Sequence, residues 1–339
     1  MNPDIAHSLG QTLLCREILM KSIGKHFAYE DKILKTDLSG MELNNPIGIG
    51  PALNKNGDTT LGLSHLGFGF VYIGSVRRRS HSGNIKPWMI RYEEKESLGN
   101  AMGLPSKGLE YVVRRLKKNR VTVPLICSVV GTNEKDILQV CSEIKKYVSI
   151  VEINSSCPTS SHEINFENDL DRLNNLLKNV RNITNKPILL KISPYDVDNS
   201  RERDKLIDIV ETCMRNDVGI AASNTKKITE RHLPVGSAGL SGKLLFNNTS
   251  KMIKEIALYT NISIPIIGLG GVYSGEDVFQ LIENGANATA LVTSFIYRGP
   301  AIVQNIGNKL SELLKERGFN SVSELRGYGM QNMRMDKER

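Results

Sequence analysis

Residues 265–294 read PIIGLGGVYSGEDVFQLIENGANATALVTS. The run from Pro265 to Gly271 is apolar at successive positions and ends in glycine. Val278, Leu281 and Ile282 follow at helical spacing, Gly285 stops the helix, and Ala288 to Ser294 is a second apolar run that ends in hydroxyls. Continuous apolar runs, unlike alternating ones, suit parallel strands buried on both faces. The stretch is one strand-helix-strand unit.

Working outward, six further runs have the same character: Asn45 to Ala52, Phe70 to Val76, Pro124 to Gly131, Ser149 to Cys157, Pro187 to Pro194 and Val218 to Thr225. Leu170, Leu173, Leu176, Leu177 and Val180 mark one of the intervening helices. Eight such repeats in roughly 250 residues predict an α/β fold, a closed (β/α)8 TIM barrel, rather than an open doubly wound sheet. The open sheet would place a glycine fingerprint after its first strand, and Pro51-Ala52-Leu53-Asn54-Lys55-Asn56-Gly57 is no G-x-G-x-x-G.

Residues 1–44 precede the repeats. Ile5, Leu9, Leu13, Ile18 and Ile23 predict one or two amphipathic helices, and Ile33 to Leu43, with Ser39-Gly40 at its centre, predicts a hairpin closing the barrel's amino-terminal end. With Arg16, Lys21 and Lys25 on its flanks, the helical stripe suits either packing or a peripheral membrane contact. The barrel is expected over 45–327, with Leu310 to Arg326 as a last helix and surface segment and 328–339 as a frayed tail.

The chain has 339 residues, 40% hydrophobic and 24% charged, which excludes disorder. No apolar run reaches the roughly 18 residues of a membrane span, and there is no basic-then-apolar leader, so a cytoplasmic protein is expected. The five cysteines, at 15, 127, 141, 157 and 213, form no C-x-x-C pair, so no metal is expected. The net charge of +8 suits anionic partners, but Arg77-Arg78-Arg79 has no neighbouring aromatics for base stacking, which argues against nucleic acid.

In a barrel of this kind the chemistry sits at the carboxyl ends of the strands. Lys55, Ser75, Ser128, Asn154, Cys157, Lys191, Asn224 and Thr225 fall at those ends and suit an anionic, planar, carbonyl-rich ligand. Lys191, inside Leu189-Leu190-Lys191-Ile192, is costly to bury without a partner. Gly268-Leu269-Gly270-Gly271 and Thr293-Ser294, after the seventh and eighth strands, offer bare N–H groups and hydroxyls to a phosphate.

These residues carry a resemblance to the dihydroorotate dehydrogenases, FMN enzymes of pyrimidine synthesis. Asn45-Pro46-Ile47-Gly48 with Leu53-Asn54-Lys55-Asn56-Gly57, Ile73-Gly74-Ser75-Val76, Gly83-Asn84-Ile85-Lys86-Pro87 and Gly239-Leu240-Ser241-Gly242-Lys243 resemble the quinone-linked class, as does Asn2-Pro3-Asp4-Ile5-Ala6-His7. Asn100-Ala101-Met102-Gly103-Leu104-Pro105 is similar to the family's substrate loop. Asn154-Ser155-Ser156-Cys157-Pro158-Thr159 departs from the quinone-linked pattern, because a cysteine stands where that class has serine and the soluble class has cysteine. Thr159 replaces the usual asparagine and removes one amide from the substrate contacts. Ser128-Val129-Val130-Gly131 and the tail from Glu316-Arg317-Gly318-Phe319 to Leu325-Arg326-Gly327 also resemble the soluble class.

The resemblance implies oxidation of dihydroorotate to orotate, with Cys157 as the base. It implies substrate contacts from Lys55, Asn100, Ala101, Met102, Gly103, Leu104, Asn154, Thr159, Asn224 and Thr225. It implies FMN contacts from Pro51, Ala52, Lys55, Ser75, Ser128, Asn154, Lys191, Ser223, Gly242, Gly270, Gly271, Thr293 and Ser294, with Lys191 near the flavin N1 and C2 carbonyl. A quinone is the implied electron acceptor, with fumarate as the alternative and NAD least favoured. Two rival readings are a tRNA dihydrouridine synthase, disfavoured because only some 40 residues follow Pro300, and a non-redox phosphate-binding barrel.

Overall fold

The computed structural model describes residues 1–155, 158 and 165–330. Eight parallel strands close a barrel: β1 (Ile47–Ile49), β2 (Phe70–Val76), β3 (Leu125–Val129), β4 (Ile150–Asn154), β5 (Ile188–Ile192), β6 (Gly219–Ala222), β7 (Ile266–Leu269) and β8 (Ala288–Leu291). They lie in sequence order around the ring, and Ala290 of β8 pairs with Gly48 of β1 to close it. Each of the eight apolar runs of the sequence contains one of these strands.

Alternation along the strands separates two cores. Phe70, Tyr72, Ile126, Ile150, Leu189, Ala221, Ile267 and Ala288 fill the barrel interior, while Ile49, Val71, Ile73, Cys127, Val151, Leu190 and Ile220 face the surrounding helices. Helix Leu170–Ile183 turns Leu173, Leu176, Leu177 and Val180 toward the strands, all with no solvent exposure. The predicted helix after β7 runs from Gly275 to Glu283, and a reciprocal capping box between Ser274 and Asp277 fixes its start.

The barrel floor is plugged by Thr36–Leu38 paired antiparallel with Met41–Leu43, whose Leu38 and Leu43 join the interior cluster below Phe70 and Tyr72. Over the mouth stands a four-stranded antiparallel sheet in the order Lys226–Thr229, Ser237–Gly242, Ser97–Asn100 and Met89–Tyr92. Its strands are short, and Ser97–Asn100 and Ser237–Gly242 carry glycines, which is why the sequence does not announce them. Glu96 fastens the sheet to the barrel through an ion pair with Arg298 at 2.6 Å, and a second with Lys243 at 3.2 Å joins two strand ends of the sheet itself. The carboxy-terminal segment adds helices Ile302–Glu316 and Val322–Leu325; of the tail expected over 328–339, Tyr328 packs edge-on against Phe319 and Met330 is buried, so the chain is not frayed there, and residues beyond 330 lie outside the described residues.

Before the barrel come helices α1 (Pro3–Leu14) and α2 (Glu17–His26). The Asn2 side chain caps α1 and Pro3 opens it, a favourable start because proline lacks the N–H that would go unpaired there. The Trp88 amide donates to Asp4 at 3.0 Å and Gln11 Nε2 donates to the Leu53 carbonyl at 2.6 Å, tying α1 to the mouth. Gly62, in the short helix Thr60–Ser64, lets the chain at Leu14 approach so closely that a Cβ at position 62 would lie 1.9 Å from the Leu14 carbonyl oxygen. Gly62→Ala should therefore weaken docking of the two helices by about 1–3 kcal/mol, the usual cost of overpacking. The expected outcome is faster proteolytic cleavage within residues 1–30 while the barrel stays folded; an unchanged cleavage rate would mean that this contact does not hold the helices down.

Candidate active site

Closure brings the carboxyl ends of the strands around one cavity beneath the antiparallel sheet. Pro51, Ala52, Lys55, Ser75, Asn100, Met102, Gly103, Leu104, Asn154, Lys191, Ser223, Asn224, Thr225, Gly242, Gly270, Gly271, Thr293 and Ser294 all line it. Two expected residues stand behind the wall. Ser128 is fully buried and shares a 2.9 Å hydrogen bond with the Ser75 hydroxyl, and Ala101 is buried with its carbonyl accepting from Asn84 Nδ2 at 3.0 Å. Cys157 and Thr159 lie outside the described residues, although Pro158, which follows Cys157 in sequence, lines the cavity.

The deep wall is a chain of oriented amides and hydroxyls. Asn224 Nδ2 donates to Asn154 Oδ1 at 3.2 Å, and Asn154 Nδ2 donates to Ser75 Oγ at 3.2 Å. The Asn154 amide is thereby fixed in one orientation, since one end accepts and the other donates. The Asn224 amide N–H donates to the Ile192 carbonyl at 2.8 Å, which sets this wall at the height where β5 ends. Asn100 Nδ2 donates to the Gly239 carbonyl at 3.2 Å, so the overlying sheet positions its own contribution.

Opposite lies a glycine and hydroxyl wall. The chain turns through Gly270 at φ +123° and Gly271 at φ +83°, and a Cβ on Gly271 would meet the Phe246 backbone nitrogen at 2.5 Å. Only glycine combines that conformation with that approach. Thr293 Oγ1 donates to Ser241 Oγ at 3.0 Å, whereas the Ser294 hydroxyl is buried with no hydrogen-bond partner among the described residues. A buried hydroxyl without a partner is costly, which marks this wall as one completed by a ligand.

Two lysines and no carboxylate line the cavity among the described residues. The field inside is positive and suits an anion. His7 of α1 also reaches it; burial, then the neighbouring Lys55 ammonium, hold the imidazole pKa below its ordinary value. In the sequence His7 stands out only within the amino-terminal motif, and Met89, Leu98 and Tyr273 carry no signal of their own. Tyr273 follows the strand-end glycines and donates its hydroxyl to the Glu96 carbonyl, a position the glycine motif could have suggested.

An apolar cavity of about 400 Å³ adjoins the first, between α1, α2 and the barrel. Leu13, Leu14, Met20, Ile23, Leu66 and Phe295 line it, and His7, Leu53, Met89, Leu98 and Ile296 belong to both cavities. The volume falls in the range that small-molecule ligands fill.

Comparison with known proteins bears on the whole chain. Residues 33–314 match the family described as dihydroorotate dehydrogenase. A protein of Christiangramia forsetii named dihydroorotate dehydrogenase (quinone) is 32% identical over 84% of this chain and 87% of its own length. One of the same name from Sulfurimonas denitrificans is 29% identical over 96% of this chain and 95% of its own. The ligand-free crystal structure of the Eimeria tenella DHODH superposes with a TM-score of 0.84 at 23% identity, covering 96% of this chain and 99% of that one, which shows the shared fold. The chain belongs to the dihydroorotate dehydrogenase family.

Proposed function

We propose that this chain oxidises dihydroorotate to orotate with bound FMN and passes the electrons to a quinone. The observation that carries the reading is the junction of two cavities, one positive and amide-lined, the other apolar, with His7 in the wall of both.

The residues fit FMN. The turn through Gly270 and Gly271, together with the Ser294 hydroxyl that has no partner among the described residues, lines the cavity with donors suited to a phosphate. Lys191, only 8% exposed, supplies a cation to the deep end of the cavity, suited to the electron-rich pyrimidine edge of a flavin. Bound FMN supplies the hydride acceptor.

The protein's own part is to bind, orient and deprotonate. Lys55 and the amides of Asn100, Asn154 and Asn224 match the carboxylate and ring amides of dihydroorotate, and the hydrogen bonds among Asn224, Asn154 and Ser75 hold that wall rigid. Cys157 takes the C5 proton. A free thiol is only slightly ionised at neutral pH, so the positive cavity would have to help it ionise. Cys127, Cys141 and Cys213, by contrast, are buried, and burial pushes each of those thiols up.

The apolar cavity supports the quinone assignment, and His7, held neutral by burial and Lys55, is suited to hydrogen-bond a quinone carbonyl where the cavities meet. Ile5, Leu9, Leu13, Ile18 and Leu19 of α1 and α2 are exposed, Ile18 at 88%, which supports peripheral contact with the cytoplasmic face of a membrane. No helix among the described residues is long and apolar enough to cross one. The cysteine at 157 favours a second reading with a soluble acceptor such as fumarate.

Three outcomes test these assignments. Gly271→Ala should fold but release FMN about tenfold more readily, as read by flavin fluorescence on dilution; wild-type retention would remove the glycine turn from the cofactor site. Deleting residues 1–30 should leave a yellow barrel whose quinone turnover falls far more than its turnover with a soluble dye, and equal losses would make the extension a packing element only. Cys157→Ala should keep FMN and bind orotate yet slow flavin bleaching by dihydroorotate about 10² to 10⁴-fold, with Cys157→Ser retaining more activity at a higher pH optimum. Anaerobic stopped-flow across the pH range decides this, because an alanine variant with the wild-type rate and profile cannot have lost the base.

A further inference from the structure

Glu152 has no solvent exposure and lies in the middle of β4. Ile150, two residues earlier on the same face, packs in the barrel interior with Tyr72 and Leu189, so Glu152 also points toward the axis. Lys191 points there too, two residues beyond Leu189 on the neighbouring β5. In the register, Glu152 pairs with Leu189 and Asn154 with Lys191, which places the lysine one step nearer the mouth. On the other side Glu152 pairs with Ser128 of β3, which hydrogen-bonds Ser75 in the cavity wall.

Neither carboxyl oxygen of Glu152, nor the Tyr72 hydroxyl, has a hydrogen-bond partner among the described residues. Burial holds the carboxyl above its ordinary value, and the Lys191 ammonium offsets that only in part. A lone buried carboxylate or ammonium would rather be neutral, but two of opposite sign on adjacent strands can remain ionised together. An apolar pair would hold such a barrel together at least as well, so stability alone does not account for these charges.

We propose that Glu152 is the counter-charge of Lys191, a residue that acts through the lysine across adjacent strands and sets how much positive charge the cavity floor presents to the flavin. The inference rests on the reading that Lys191 faces the cofactor. A carboxylate beneath the lysine disfavours the electron-rich reduced ring, so its removal should favour reduction. Without Lys191, the carboxyl should take up a proton and lose its influence.

The test uses holoprotein of the wild type, Glu152→Gln, Lys191→Met and the double variant, with the flavin midpoint potential measured by dye equilibration. E152Q should raise the potential by about 30 mV, a tenfold change in a two-electron equilibrium constant. It should change little when added to K191M. An unchanged potential in flavin-bearing E152Q, or an equal rise in the K191M background, would overturn the proposal. Protein that binds no flavin would instead defeat the cofactor reading. Thermal unfolding of the four proteins without cofactor then still decides the pairing: E152Q leaves the ammonium uncompensated, so its cost should largely vanish in the K191M background. A double variant as unstable as the sum of the singles, or one that fails to fold, would reject the pair.

Discussion

With Ala290 of β8 in register against Gly48 of β1, the parallel sheet has no free edge, and every strand must end at the same mouth. That closure is what makes neighbours of Lys55, Asn154, Lys191, Asn224 and Ser294, which are spread over most of the chain. It also fixes which side chains can reach the cavity, because alternation along each strand admits every second residue to the interior. The interior then reads upward in layers. Leu38 and Leu43 plug the floor, Phe70, Tyr72, Ile126 and Ile150 fill the middle, Glu152 and Lys191 bring ionisable groups above them, and Asn154, Ser75 and Asn224 finish the top. Polarity rises toward the mouth, where a ligand can repay the cost of desolvating it.

The two walls of the cavity are unlike because their backbones are unlike. Strands β4 and β6 lead into side-chain amides, Asn154 and Asn224, whose hydrogen bond to one another removes their freedom, a wall suited to a small planar substrate. Strands β7 and β8 end in glycines and hydroxyls, one of them unpartnered, a wall suited to a phosphate. The antiparallel sheet closes the top and is fastened to the barrel by the ion pair of Glu96 with Arg298. Helices α1 and α2 then add what the barrel lacks, an apolar cavity that meets the polar one at His7. Their exposed face is itself apolar, so one short extension would provide both a route for a quinone and a surface toward the phase that dissolves it.

The barrel was legible because its signal is repeated and physical: eight continuous apolar runs, each too short for a helix, with helical spacing between them. The lining of the candidate cavity was legible for a related reason, since Lys191 stands in an apolar run, where a charge is costly to bury, and lies in the cavity wall. The sheet over the mouth was not legible. Its strands Ser97–Asn100 and Ser237–Gly242 carry glycines where strand formers would be expected, and their pairing, Asn100 opposite Gly239, joins segments far apart in sequence. The second cavity was equally hidden, because each of its walls is an ordinary apolar face and only packing makes a hollow between them. Ala101 and Ser128 show a limit of reading roles from motifs, since a residue can belong to a motif and support the wall without lining it.

The central claim is that one cavity oxidises dihydroorotate and the adjoining one delivers the electrons to a quinone. Anaerobic mixing of the purified full-length protein with dihydroorotate, followed by a quinone, fumarate or NAD, tests it most directly, with the flavin absorbance as the readout. The account predicts that dihydroorotate bleaches the flavin and that the quinone restores the colour much faster than fumarate or NAD. A folded protein that is colourless, or whose flavin dihydroorotate leaves oxidised, would contradict the oxidation. Faster recovery with fumarate would contradict the role given to the second cavity.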